Sequence, residues 1–445
     1  LTLLLRGGAG GADDMLPVGM AWLAWAWASL VLLVSGRLKG LGGWIWLAAF
    51  FLAGAGLLTL LQLGAGAENS RWISFALKHA ALLALFGWTL SMMAIVPDRA
   101  WRRLWLWLLG SEAFAAALAG LLVLLMLAQL ALGSEEGIAG VQPVEATKTV
   151  FVLLLAFAGM HLIEIRRRET RAYRRSPLAF LLPYLRFIGI FLVVILSVVV
   201  GVRDFSPMII IGLVLLAWLW KVGSSQRGER TGAGLWALLR PGVAVAALFV
   251  LGAGLWAHNN AEALPADMPQ KDRVQVWAEP ELHPHSGAQV LASLDRVGEG
   301  GWAGALGWFG PNGRVMDLPA VQDDFITAFF LYRFGGLAGL ALLAAQLLYL
   351  WCLFLLARAV ERRAAEGDFR LQSAGLVLGF ALFGLAFMHI AHWTIAWSNT
   401  LGLLPVMGQP MTWLSAGNSH LLGFAMATLA LALVTAWVRP TLGER

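Results

Sequence analysis

The chain has 445 residues, 59% of them hydrophobic and only 13% charged, with a formal net charge of +6. Its mean hydropathy of +0.74 excludes a water-soluble globular protein, because too few polar side chains remain to cover a surface. The basic residues gather in short connections, which excludes a nucleic-acid footprint and fits membrane topology instead.

The opening stretch, "LTLLLRGGAGGADDM", lacks the basic and long apolar regions of a signal peptide and reads as an extramembrane lead or a truncated edge. After it come continuous apolar runs of about 18 to 25 residues, the length of a bilayer-spanning helix, whose continuity excludes an alternating β-barrel. Eleven spans are expected, at residues 18–35, 44–63, 77–96, 105–132, 144–165, 180–200, 208–221, 243–258, 325–356, 374–397 and 421–437. The seventh is short and follows "VRDFSP", as a half-helix would. The fold class is therefore an all-α polytopic membrane protein of about eleven transmembrane helices. Cys352, the one cysteine, lies inside an apolar run, so neither an intrachain disulfide nor a Cys-based metal site is available.

The connections set the orientation. "RRRETRAYRR" (166–175) carries six arginines and one acid, and falls on the same side as "GRLKG", "PDRAWRR", "KVGSSQRGER" and "ARAVERRAAEGDFR". The positive-inside rule makes that side cytoplasmic, with the N-terminus outside and the C-terminus inside. The outer side receives a segment of about 65 residues, 259–324, long enough to be functional; it holds ten acidic and four basic residues. The chain divides into N-terminal transmembrane helices (1–140), core helices (141–258), a large extracytoplasmic loop (259–324) and C-terminal transmembrane helices (325–445).

Ionisable residues inside spans are costly and tend to face a cavity or one another. In "VQPVEATK" (141–148), Glu145 and Lys148 are three apart and share a helix face. They read either as a cavity pair or as a helix start with a snorkelling lysine. Arg203 and Asp204 fit an outer turn, and Arg186 and Lys78 fit snorkelling at helix ends. "HIAHW" places His389 and His392 at i, i+3, a spacing a metal could use. No carboxylate adjoins them in sequence, which favours a packed pair. His283 and His285 read as surface. Asp323 and Asp324 precede the ninth span: one aspartate suits the helix N-terminus, and the other, partly desolvated, would suit a general base.

Several of these motifs fall in one order. "QPVEATK" resembles the Q-P-[S/A]-E-x-x-K motif of the SEDS family, the FtsW/RodA/SpoVE glycosyltransferases of bacterial cell-wall synthesis. "GAQVLAS" (287–293) is similar to its G-x-Q-x-x-x-S, and "GEGGWAGALGWFG" to its glycine-rich stretch. "LPAVQDDFI" resembles L-P-E-x-x-T-D-F-I, and "GLLPVMGQPMTWLSAGNS" (402–419) resembles G-x-L-P-x-x-G-x-x-L-P-F-x-S-x-G-G-S. "VRDFSP" stands where the family has Q-P-D-x-G-T.

The resemblance implies a ten-helix core with one extra N-terminal helix, in the bacterial inner membrane. It implies polymerisation of lipid II, with Asp324 as catalytic base and Asp323 serving the helix end. Gln142, Glu145, Lys148, Arg273, Gln289, Ser293, Ser415 and Ser419 would bind substrate. No metal ligand is assigned and no cofactor is certain, a divalent cation being left open. The partner implied is a class B penicillin-binding protein, alongside lipid II and membrane lipids. The chain departs from the family at Tyr332 and Arg333, where glutamates are usual, and at Ala396, Ser398, Met411, Thr412, Trp413 and Asn418. These departures keep open a non-catalytic scaffold or lipid-carrier flippase, or a polymerase of another polyisoprenoid-linked sugar.

Overall fold

The computed structural model describes residues 16–65, 70–132, 142–168, 206–225, 233–266, 268, 270–284, 286–305 and 321–438. Every regular element among the described residues is helical, as lipid demands of a chain that must satisfy its backbone groups internally. In chain order the helices are α1 (Leu16–Val34), α2 (Leu41–Ala65), α3 (Ser70–Ile95), α4 (Asp98–Leu109), α5 (Glu112–Leu132), α6 (Pro143–Arg168), α7 (Ser206–Ser225) and α8 (Ala233–Asn259). Two short helices of the long connection follow, α9 (Lys271–Ala278) and α10 (Ser286–Gly300). The chain closes with α11 (Ile326–Ala365), α12 (Phe369–Leu401) and α13 (Asn418–Val438). Eight of these are long and apolar enough to cross a membrane, so the protein is a multi-pass membrane protein. The expected span at 180–200, with Arg186, Arg203 and Asp204, lies outside the described residues.

Two expected spans differ in detail. The run at 105–132 is two helices, α4 and α5, bent by 72° at Gly110–Ser111. The Ser111 hydroxyl accepts from the Phe114 amide at 3.4 Å and starts the second helix. The first, "DRAWRRLWLWLL", is amphipathic, with arginines set against tryptophans, and suits the membrane interface rather than its centre. The ninth span starts as expected but breaks at Gly335, whose φ of +80° interrupts α11. The glycine-rich turn after α10 explains this break. Gly336 N–H donates to Gly301 O (2.8 Å), Leu337 N–H to Trp302 O (3.2 Å) and Ala305 N–H to Tyr332 O (2.9 Å). A side chain at Gly335 would overlap the Trp302–Gly304 backbone, so the loop and the broken helix lock together backbone to backbone.

At one end of the bundle Arg37 pairs with Asp98 and lies over the Trp437 ring, and Lys221 pairs with Glu361 at 2.6 Å. These residues come from the basic connections that the sequence places on one side. The centre of the bundle is α6, α12 and α13, packed against α2 and α11. By contrast α8 buries none of its apolar window and presents Leu248, Phe249 and Leu255 to lipid.

Candidate active site

Between α12 and α13 the chain does not simply turn. Gly402 closes α12 in the left-handed conformation, and the residues after it dip into the bundle. They reach the middle of α2, where a Cβ at Gly56 would overlap the Trp413 carbonyl. Trp413 itself is buried with φ +77°, a strained conformation for a bulky residue. Gly56→Ala is therefore expected to cost at least about 3 kcal/mol, the upper part of the overpacking range. A lowered thermal midpoint of the detergent-purified protein is the check.

This re-entrant segment, 402–417, collects most of the residues singled out in the sequence. Gly408 lies under the Asp324 carboxylate, close enough that a Cβ would stand 3.6 Å from Oδ2. Arg273 on α9 donates from Nη1 to Val406 O at 3.3 Å. Gln409, next to Gly408, accepts from Lys148 Nζ through Oε1 at 3.4 Å. The Ser415 hydroxyl accepts from Met411 N–H (2.7 Å) and donates to Asp323 O (2.9 Å), while Ala416 N–H donates to Gln322 O. The Ser419 hydroxyl accepts from Gln142 N–H at 2.7 Å, tying the start of α13 to the start of α6. Ser293 sits to one side, donating to Thr400 O at 2.9 Å. Gln289 is half-buried one helical turn earlier on α10. Val290 and Leu294 of α10 touch Gly402 there, at the start of the segment.

Beneath the segment lies a closed polar cluster. Glu145 Oε2 meets Lys148 Nζ at 2.8 Å and His420 Nδ1 at 2.6 Å. Lys148 Nζ also approaches His392 Nε2 at 3.3 Å, and His420 Nε2 meets the Thr412 hydroxyl at 2.8 Å. Lys148 is 0% exposed and the other members are buried with it. Sequence reading missed His392, His420 and Thr412 as its members. Their only local signals were the i, i+3 histidine spacing and the place of His420 directly after "GNS". His389 is the packed histidine expected, against Tyr349, Trp393 and Phe424.

Asp323 does not cap α11. The N-cap position is Phe325, which makes no side-chain cap hydrogen bond. Burial instead pushes the Asp323 carboxyl up to about 6, opposed in part by a hydrogen bond with Gln322. Because the native state holds this proton more tightly, its contribution to stability is complete below the ordinary carboxyl value. It is lost as pH rises through about 6. Asp323→Asn should therefore stabilise the protein at pH 8 by about 1 kcal/mol, allowing for the half-exposed carboxyl. The advantage should shrink towards pH 4 in thermal unfolding.

The fold and this site define a multi-pass membrane protein whose charged centre is closed by a re-entrant segment. The chain belongs to the FtsW/RodA/SpoVE family, described as cell cycle proteins, whose model matches residues 44–438, leaving α1 before the matched range. Among curated relatives it is 29% identical over 157 residues to a probable peptidoglycan glycosyltransferase FtsW of Thioalkalivibrio sp. (strain K90mix), covering 35% of this chain and 36% of the relative. It is 31% identical over 155 residues to the peptidoglycan glycosyltransferase MrdB of Escherichia coli K12, covering 34% and 38%. With a probable FtsW of Alcanivorax borkumensis it shares 25% over 282 residues, 63% and 62% of the two chains. The match thus spans only about a third of the first of these relatives. A chain from a study of the structural coordination of polymerization and crosslinking by a peptidoglycan synthase complex superposes with TM-score 0.55, at 20% identity. The superposition covers 90% of this chain and 98% of that one, and shows the fold.

Proposed function

We propose that this chain is a peptidoglycan glycosyltransferase that polymerises lipid II, with Asp324 as general base. The observation that carries the reading is the meeting of Asp324, Arg273, Gln409 and Ser415 on one re-entrant segment in a chain of this family. Asp324 takes the proton from the acceptor sugar hydroxyl. The oxygen then attacks the donor's anomeric carbon, and the bond to the diphosphate breaks, releasing undecaprenyl diphosphate. Arg273 is placed at the segment's rim to offset diphosphate charge, a role a divalent cation could share. Glu145 and Lys148 act from below, setting the position of Gln409 and hence of the floor under Asp324. Gln142 and Ser419 hold the same floor from the α6 side, while Ser293 and Gln289 support its outer corner.

The protein lies in the bacterial inner membrane with its basic connections cytoplasmic, its N-terminus outside and its C-terminus inside. Its partner is a class B penicillin-binding protein with a single membrane-spanning helix. An open apolar groove of about 1250 Å³ between α11 and α12, topped by Trp302, supports that choice. From Gly336 to Phe354 it runs roughly 27 Å, close to the hydrocarbon thickness that one helix must cross.

Offering the purified chain lipid II and, separately, another polyisoprenoid-linked sugar tests the substrate. Glycan strands from lipid II support the reading. Strands from the other donor alone would reassign the sugar, and none from either would favour a non-catalytic scaffold or flippase.

A further inference from the structure

The closed cluster under the segment contains more than an ion pair. Glu145 on α6, His392 on α12 and His420 on α13 each offer one ligand atom, and those atoms lie within 4.8 Å of one another. One carboxylate and two imidazoles form a donor set that first-row transition metals favour. The sequence offers one of the three in "HIAHW", His392, and lacks a carboxylate nearby; the fold supplies His420 from α13 and Glu145 from α6, far along the chain. The space between two of these donors is already filled. Lys148 Nζ stands there, 2.8 Å from Glu145 Oε2, 3.3 Å from His392 Nε2 and 3.4 Å from Gln409 Oε1.

We propose that this cluster is a transition-metal site of the zinc class for which the Lys148 ammonium and the metal ion compete. The ammonium stands against two of the three donors a metal would take, Glu145 and His392, and balances the same carboxylate. A zinc ion with bonds of about 2.1 Å holds tetrahedral ligand atoms about 3.4 Å apart. Glu145 Oε2 and His420 Nδ1, now 2.6 Å apart, would need to open by about 0.8 Å, while no donor pair, all lying within 4.8 Å, would need to close by more than about 1.4 Å; both are within reach of side-chain rotation. For metal to enter, the lysine side chain must swing aside. The outer partner is already in place: with His420 coordinating through Nδ1, its Nε2–H donates to the Thr412 hydroxyl 2.8 Å away, which fixes the ring. All the groups are buried, and the protein ligands come from three different helices. A bound metal would therefore clamp α6, α12 and α13 together rather than open a catalytic position. This affinity does not depend on whether the chain polymerises lipid II.

The test is titration of the full-length, detergent-purified chain with Zn²⁺ alone against a chromophoric chelator, for wild type and Lys148→Met, with Lys148→Gln as a second variant should methionine not fold. The lysine variant is expected to bind one zinc per chain at least tenfold more tightly than wild type. Adding His392→Ala or His420→Ala should weaken that binding at least a hundredfold. No saturable zinc in a folded Lys148 variant, binding that survives both histidine substitutions, or equal or tighter binding by wild type would each overturn the proposal. Should neither lysine variant fold, the wild type decides: a zinc-dependent rise in thermal midpoint that His420→Ala abolishes supports the site, and no such rise overturns it.

Discussion

Glu145→Ala is expected to destabilise the protein by about 3–5 kcal/mol, the cost of breaking a buried ion pair from one side. Among the described residues the substitution leaves the Lys148 ammonium, 0% exposed, with only His392 and Gln409 as acceptors, and takes from His420 the carboxylate it meets at 2.6 Å. Removing both charges should undo most of the damage. Glu145→Ala combined with Lys148→Met leaves no buried charge without its counterion, so the double variant should unfold closer to wild type than the single one. Thermal unfolding of the three purified proteins in the same detergent reads this directly. A single variant as stable as wild type would mean that the pair is not made in the native state.

The second large effect falls on chemistry rather than stability. Asp324→Asn keeps the size and polarity of the side chain above Gly408 while removing its ability to accept a proton. Polymerisation should fall by about 10²–10⁴, the usual share of a positioned general base, with the thermal midpoint unchanged. Asp323 is the discriminating control. Its carboxyl, raised to about 6, would by that measure alone make a serviceable base. Yet its backbone carbonyl is bound by Ser415 and its side chain by Gln322. Asp323→Asn should keep most of the activity. Loss in Asp323→Asn with retention in Asp324→Asn would exchange the two roles.

Much of the fold is legible from the sequence because lipid makes hydropathy decisive: a run such as that of α12 can only be a helix crossing the bilayer. The break between α4 and α5 is harder to read. "RRLWLWLLGSEAF" is continuously apolar from Leu104 to Leu109 and apolar again from Ala113, and only Gly110, Ser111 and Glu112 mark the bend. The kink at Gly335 was not legible at all, since it is imposed by the glycine-rich turn after α10 pressing on α11. For the site, the motifs named the right segments but not their meeting place. Glu145 and His420 are 275 residues apart, and Lys148 and His392 are 244 apart. No local pattern reports such contacts, which arise only when the segment after α12 folds back into the bundle. The expectation that Glu145 and Lys148 bind substrate came from their motif alone; both side chains are buried.

The most direct test of the central claim is a gel of glycan strands made from labelled lipid II by the purified chain, alone and with a class B penicillin-binding protein, wild type beside Asp324→Asn. The account predicts a ladder from wild type and none from the variant at matched folded protein. No ladder from folded wild type under either condition, or an equal ladder from Asp324→Asn, would contradict it.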